Sequence, residues 1–142
     1  IYLFFNSKLC KLIALSIRAI DILEVNGEKQ TARLNIAFDA PDHGKPYRQW
    51  FHFRAIQIKS NTLCNFTIEN ASQTTYPGGW VNYNVAYSYD RETWRRCKTA
   101  YDENGTGHMS WSFPISIKSI LAVIYGKNIF IDFKNTAIIS FL

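Results

Sequence analysis

The chain has 142 residues, of which 47% are hydrophobic and 15% aromatic, and this composition excludes a mostly disordered polypeptide. Its length is enough for one domain whose core needs no disulfide or metal to hold it together. The formal net charge of +5 belongs to the ends, because ten basic and ten acidic residues lie between positions 21 and 112. A nucleic-acid site needs cationic groups clustered on one face, so no nucleic-acid partner is expected.

The two ends differ in composition from the middle. We therefore predict an uncertain N-terminal segment at 1–18, a β-sandwich domain at 19–113 and an uncertain C-terminal segment at 114–142. A change of reading frame is the alternative explanation of the shift. Charged residues interrupt both apolar ends, so neither predicts a membrane span. Because the first residue is Ile rather than Met, we expect the chain to come from a longer product.

Strand patterns begin at residue 20. Residues 20–25 and 31–38 alternate between apolar and polar side chains and flank Asn26-Gly27, which is a strong signal for a β-hairpin. The loop at 39–47 contains three Gly or Pro residues and is predicted to be irregular.

Two further strands are predicted at 49–58 and 63–68. Both faces of the first carry bulky side chains, which is typical of a strand inside a two-layer packing. Ser60-Asn61-Thr62 separates the two segments. We therefore predict that they pair as an antiparallel hairpin.

The richest pattern lies at 76–102. A Tyr-Pro-Gly-Gly-Trp corner at 76–80, whose glycines can take positive φ, is predicted to bend the chain sharply and is followed by strands at 81–89 and 94–99. The turns are predicted at 90–93 and 102–105, the second one closing a hairpin into 108–113. Further strands are predicted at 115–125 and 129–133. Short strands at near-regular spacing, with no convincing helix, predict an all-β fold, an antiparallel β-sandwich.

No catalytic motif is found. A zinc hydrolase commonly uses His-x-x-Glu, whereas the residue three positions after each histidine is Pro46, Ala55 or Trp111. No Gly-x-Ser-x-Gly motif is present, and the Gly-Thr-Gly at 105–107 is predicted to be a hairpin turn rather than a phosphate loop. The three cysteines lack Cys-x-x-Cys spacing and are interpreted as inert thiols: Cys10, Cys64 and Cys97.

Aromatic side chains are the remaining candidates for a binding site. Rings that recur every second residue more often fill a core or a domain interface than a ligand platform. We therefore favour core or interface positions over a sugar-binding or peptide-binding face for the following residues: Trp50, Tyr76, Trp80, Tyr83, Tyr87, Tyr89, Trp94 and Trp111.

The middle of the chain resembles a known family. The order and spacing of its aromatic, Gly, Pro and charged residues are similar to those of the N-terminal β-sandwich domain of cytosolic-type M14 zinc carboxypeptidases. The positions that carry the resemblance are Gln49, Trp50, Phe53, Arg54, Tyr76, Pro77, Gly79, Trp80, Tyr89, Asp90, Arg91, Trp94, Arg96, Tyr101 and Asp102.

The resemblance implies structural or interface roles for these residues. In the family, zinc and the catalytic residues belong to a following peptidase domain, and no motif of that domain occurs in this sequence. The resemblance therefore implies a non-catalytic domain without a cofactor of its own, packed in cis against a cytoplasmic zinc peptidase that acts on proteins or peptides. The alternative is a free-standing β-sandwich that binds glycans or peptides through exposed aromatic residues.

Overall fold

The computed structural model describes residues 20–38, 47–56, 58–59, 61–90, 92–115, 121–124 and 137–140. Apart from two short 3₁₀ helices, Ala71–Gln73 and Pro77–Trp80, the regular elements in these ranges are strands. The strands are β1 Ile20–Asn26, β2 Thr31–Ile36, β3 His52–Ile56, β4 Thr62–Ile68, β5 Val85–Ser88, β6 Arg95–Cys97, β7 Thr99–Tyr101, β8 Met109–Ile115, β9 Leu121–Ile124 and β10 Ala137–Ser140. The predicted all-β class is confirmed.

The described strands form two five-stranded sheets. The first has the order β1-β2-β4-β8-β7 and the second the order β10-β3-β9-β5-β6. Neighbouring strands are antiparallel except for two parallel pairs, β2 with β4 and β10 with β3. The sheets face each other, because the Phe53 ring of β3 lies 5.2 Å from the Phe66 ring of β4. The fold is therefore a β-sandwich with mixed sheets.

An aromatic cluster fills the space between the sheets. The Trp111 ring stacks on Phe51 and on Phe66, with centroids 5.7 Å apart in both cases. All three side chains are buried. Aromatic side chains bury more apolar area than any others and prefer such offset contacts, so this cluster supplies much of the hydrophobic stabilisation of the domain.

The predicted hairpin between 49–58 and 63–68 is wrong. β3 pairs with β9 and β10 in the second sheet, whereas β4 lies between β2 and β8 in the first. The chain changes sheet near Asn61, which adopts a positive φ of 57°. Gln30 fixes this crossing, since its Oε1 accepts a hydrogen bond from the Lys59 N–H and its carbonyl accepts one from the Asn65 N–H.

Two other predicted strands are shorter than expected. The segment at 94–99 is divided at Lys98 into β6 and β7, which belong to different sheets. The segment at 81–89 contains only β5, because Asn82 has a positive φ of 57° within a turn. The hairpin into 108–113 is confirmed by the pairing of Tyr101 with Met109.

Part of the predicted C-terminal segment lies within the described residues. β8 continues to Ile115, and β9 lies in the middle of the second sheet, paired with both β3 and β5. The strand predicted at 129–133 and the segment 1–18 lie outside the described residues. The boundaries at 19 and 113 therefore stay predictions.

Candidate functional site

The corner at 76–80 contains the 3₁₀ helix Pro77–Trp80. Proline suits its first helical position because its fixed φ fits and its missing N–H is not needed there. Trp80 is fully buried, and its indole N–H donates a hydrogen bond of 2.7 Å to the Thr74 hydroxyl. Its ring packs against Phe51, 6.2 Å between centroids. The corner thus joins the aromatic core through Trp80.

Gln49 holds the start of the corner with both atoms of its amide. Its Oε1 accepts a 2.6 Å hydrogen bond from the Tyr76 N–H, and its Nε2 donates a 2.8 Å bond to the Tyr76 carbonyl. Next to this pair, the Thr75 N–H donates to the Arg48 carbonyl, and the Arg48 N–H donates to the Thr75 hydroxyl. The segment before β3 is therefore fastened to the corner.

The glycines of the corner serve close packing. The corner does not use the positive φ that its glycines can take, because Gly107 is the glycine with positive φ among the described residues. A Cβ atom at Gly79 would lie 2.9 Å from Cδ1 of Tyr76, whereas one at Gly78 would lie 3.7 Å from the same ring. The absence of a side chain at Gly79 lets the Tyr76 ring lie against the backbone.

Three exposed aromatic side chains lie on this corner and on the two segments connected to it. Tyr76 is 65% exposed, Tyr47 58% and Phe38 51%. The Arg48 guanidinium lies 3.7 Å from the centroid of the Phe38 ring, a cation–π contact that connects the end of β2 to the segment before β3. We call Phe38, Tyr47, Arg48 and Tyr76 the Tyr76 patch.

The turn between β5 and β6 is held by one carboxylate. Oδ1 of Asp90 accepts hydrogen bonds from the Ser88 hydroxyl and from the N–H groups of Glu92 and Thr93, at 2.7–2.9 Å. The backbone bonds are the main cause that holds the pKa of Asp90 well below its usual range. Arg91 lies outside the described residues. Asp90 therefore has a local structural role.

Arg96 also serves the fold. Its Nη1 donates hydrogen bonds of 2.9 Å to the Tyr83 hydroxyl and to the Asn84 carbonyl. These bonds tie β6 to the segment that leads into β5. Close by, Tyr89 and Trp94 flank the turn and are each 36% exposed.

Asp102 organises the turn between β7 and β8. Its Oδ2 accepts hydrogen bonds from the N–H and the hydroxyl of Thr106, at 2.7 and 3.0 Å. These bonds lower the pKa of Asp102. A Cβ at Gly105 would collide with the same carboxylate. The Gly-Thr-Gly segment lies in this hairpin turn, as predicted.

The sequence and the fold can be compared with those of known proteins. The sequence model of the cytosolic carboxypeptidase N-terminal domain matches residues 18–125. The chain belongs to this family.

Solved structures of metallo-carboxypeptidases resemble this carboxypeptidase N-terminal domain. One from Pseudomonas aeruginosa, in complex with (2-guanidinoethylmercapto)succinic acid, is 26% identical with a TM-score of 0.64, and the alignment covers 80% of this chain. One from Burkholderia cenocepacia is 28% identical with a TM-score of 0.64 over 81% of this chain. The domain spans 28% of the length of each relative.

A curated relative adds sequence similarity alone. An uncharacterized protein from Zymomonas mobilis is 35% identical over 60 residues, which are 42% of this chain and 16% of that protein.

The remaining motif positions divide between the core and the surface of the domain. Phe53 is fully buried, and Trp50 is half-buried two positions before β3. Tyr101 is half-buried and packs against the core. Arg54 belongs to β3, but its side chain is not among the described ones. The proposed interface role of the surface members stays a prediction.

The His, Cys, Asp and Glu side chains are dispersed in the described part of the domain. There, no three or more His, Cys, Asp or Glu side chains converge on a common point. Burial lowers the pKa of His52 to about 4 and raises the pKa of the Cys64 thiol to about 12. Cys97 is free as well, and His43 and Cys10 lie outside the described ranges. No described helix is long and apolar enough to span a membrane.

Sequence reasoning missed three members of the Tyr76 patch. The alternation at 31–38 predicts Phe38 on the buried face of a strand, whereas it is exposed beyond the end of β2, and Tyr47 and Arg48 belong to no predicted strand or motif. The sequence offers one signal that points to Tyr47 and Arg48. Tyr47 and Arg48 directly precede the Gln-Trp-Phe segment that carries the family resemblance.

Proposed function

We propose that this chain is the non-catalytic N-terminal domain of an M14-type zinc metallocarboxypeptidase, and that it packs in cis against a peptidase domain and supports it. One observation carries the proposal. The family match covers residues 18–125, and the chain spans only 28% of the solved metallo-carboxypeptidases that it resembles. The greater part of such an enzyme is thus a separate portion of the polypeptide.

In this proposal the chemistry belongs to the peptidase domain. Zinc would be held there and would activate water or polarise the scissile carbonyl. The parent enzyme would act on a protein or peptide substrate, in agreement with a cytoplasmic location. The residues described above contribute a rigid scaffold, built from the aromatic core, the Gln49 contact with the corner and the carboxylate-held turns.

Two products of the gene test the proposal. The 142-residue chain and a product extended through the peptidase portion would be compared for zinc content and for release of C-terminal residues from peptides. We expect both properties in the extended product and neither in the short chain. Stoichiometric zinc and peptide cleavage by the short chain would contradict the proposal.

A free-standing binding domain is the second candidate, favoured by one observation. Tyr76 and Tyr47 expose 65% and 58% of their surface, and planar exposed rings can stack on sugars or peptide side chains. Titration of the short chain with oligosaccharides or acidic peptides, followed by NMR of the tyrosine ring signals, tests it. Saturable shifts that disappear in Tyr76→Ser would favour this candidate. Unchanged spectra would contradict it.

A further inference from the structure

We infer that the Tyr76 patch is the surface through which this domain docks on the peptidase domain of the same polypeptide. The inference rests on the proposed function and makes it specific, because it assigns the interface to Phe38, Tyr47, Arg48 and Tyr76. Three independent features of the patch lead to it: its composition, its rigidity and its tethered partner.

The composition of the patch is that of an interface. Tyr, Phe and Arg are enriched at protein interfaces, whereas single exposed apolar residues are ordinary on any surface. Here three rings that are each more than half exposed lie on segments that Arg48 connects, since its guanidinium contacts the Phe38 ring, its backbone bonds to Thr75 beside Tyr76, and Tyr47 precedes it in the chain. The first sheet carries only the single exposed leucines Leu23 and Leu63 and a polar network in which the Arg33 guanidinium bonds to Glu24 and Glu69 among the residues described. The patch is thus the more aromatic of the two surfaces.

The patch is also held rigidly before any partner binds. The Gln49 amide fixes both backbone polar groups of Tyr76. Gly79 brings the Tyr76 ring against the backbone, and the buried Trp80 anchors the other end of the corner. A side chain that is already ordered loses little conformational entropy when a partner covers it, so Tyr76 binds at low entropic cost.

The solved relatives are longer than this chain. The proposed partner is the part of the polypeptide that corresponds to the remainder of those relatives. Interfaces between domains of one chain bury about 600–1,500 Å² and need not be strongly apolar. A covalent connection through a short linker raises the effective concentration of the partner to roughly the millimolar range. A small patch of three rings and one arginine is therefore sufficient to fix the orientation of a tethered domain.

Chemical modification of tyrosine tests the inference. Tetranitromethane would be applied to the 142-residue chain and to the product extended through the peptidase portion, and nitration would be measured by mass spectrometry. We expect nitration of Tyr47 and Tyr76 to fall severalfold in the extended product. Tyr89, at the β5–β6 turn, is the internal control and should be modified similarly in both.

Paired variants of the extended product complete the test. Tyr76→Ser should restore nitration of Tyr47 to the level of the short chain, whereas Leu63→Ser, at a residue 53% exposed on β4, should leave it low. Tryptophan fluorescence of each short-chain variant checks that the fold is kept. Equal nitration of Tyr47 and Tyr76 in both products would overturn the inference.

The two proposals fail separately. An extended product that holds zinc and cleaves peptides, but leaves Tyr47 and Tyr76 as reactive as in the short chain, overturns the docking surface and keeps the proposed function. Protection of both tyrosines in an extended product without zinc or peptidase activity supports the docking surface and overturns the proposed function.

Discussion

The corner at 76–80 and the turn between β5 and β6 both carry family-motif residues, yet they are held by different forces. The corner depends on partners distant in sequence, since Gln49 bonds to Tyr76 and Trp80 packs against Phe51. The turn depends on its own neighbours, because Asp90 bonds only to residues within three positions in the contacts described above.

This difference teaches how to interpret a motif residue. A residue in the corner is needed for tertiary packing, so its loss should affect the whole domain. A residue in the turn is needed for local geometry, so its loss should affect the hairpin more than the core. The following predictions rank the two regions by the size of their effects.

Trp80→Ala is expected to have the largest effect. Removal of the buried indole leaves a cavity, and the Thr74 hydroxyl loses the N–H that donates to it. The free energy of unfolding should therefore fall by about 3–5 kcal/mol. Chemical denaturation of the short chain measures the change. Trp94→Ala at the edge of the turn is the matched control and should cost much less. Equal losses in both variants would contradict the distinction between corner and turn.

Acid should separate the core from the turns. The pKa of His52 is about 4 in the folded chain against an ordinary value of about 6.5, so the unfolded chain binds the proton more tightly. Stability should therefore fall as the pH drops from about 6.5 to about 4, by about 3 kcal/mol in total.

Below that range the turns contribute. The pKa values of Asp90 and Asp102 are lowered in the folded chain, so their stabilisation is present above the ordinary carboxyl range and is lost as the pH falls through and below it. Denaturation across pH measures both stages. His52→Gln should remove only the upper stage, and an unchanged upper stage in that variant would contradict the assignment.

Gly79→Ala should have an intermediate effect. The added Cβ would lie 2.9 Å from the Tyr76 ring, which must move, at a cost of about 1 kcal/mol. Gly78→Ala is the matched control, because its Cβ would meet the same ring at an ordinary 3.7 Å. Thermal unfolding and tyrosine nitration of the short chain measure the two effects. Identical behaviour of both variants would show that the ring does not depend on Gly79.

Asp90→Ala should have the smallest effect on the domain. It removes the acceptor for the Glu92 and Thr93 N–H groups, so their hydrogen exchange should accelerate while that of β4 stays slow. NMR exchange rates measure this. Glu92→Ala retains the backbone N–H and should leave the turn protected. Faster exchange throughout the core of Asp90→Ala would contradict a local role.

The local features of the fold could be predicted from the sequence. Alternation and the Asn26-Gly27 signal predict the first hairpin, and Asn26 indeed pairs with Thr31 across it. The turn at 102–105 was predicted from its Asp, Asn and Gly residues and is held by Asp102. In each case the determining contacts lie within a few residues, where side-chain chemistry is sufficient to specify the backbone.

The long-range features could not be predicted in the same way. Alternation indicates which side chains of β3 and β4 are buried, but not whether the strands share a sheet or face each other across the core. The Tyr76 patch has the same origin. Phe38 and Arg48 are ten positions apart in sequence, and only the tertiary structure brings the guanidinium over the ring.

The division of the chain at Lys98 has a mechanical consequence. β6 ends at Cys97 in the second sheet and β7 begins at Thr99 in the first, and the two residue steps between them span at most about 7 Å. Thr99 strengthens this connection between the sheets, since its hydroxyl accepts a hydrogen bond from the Val85 N–H of β5. The two sheets therefore cannot separate at this edge unless β6 or β7 loses its pairing, so the β6–β7 edge fixes the distance between the sheets.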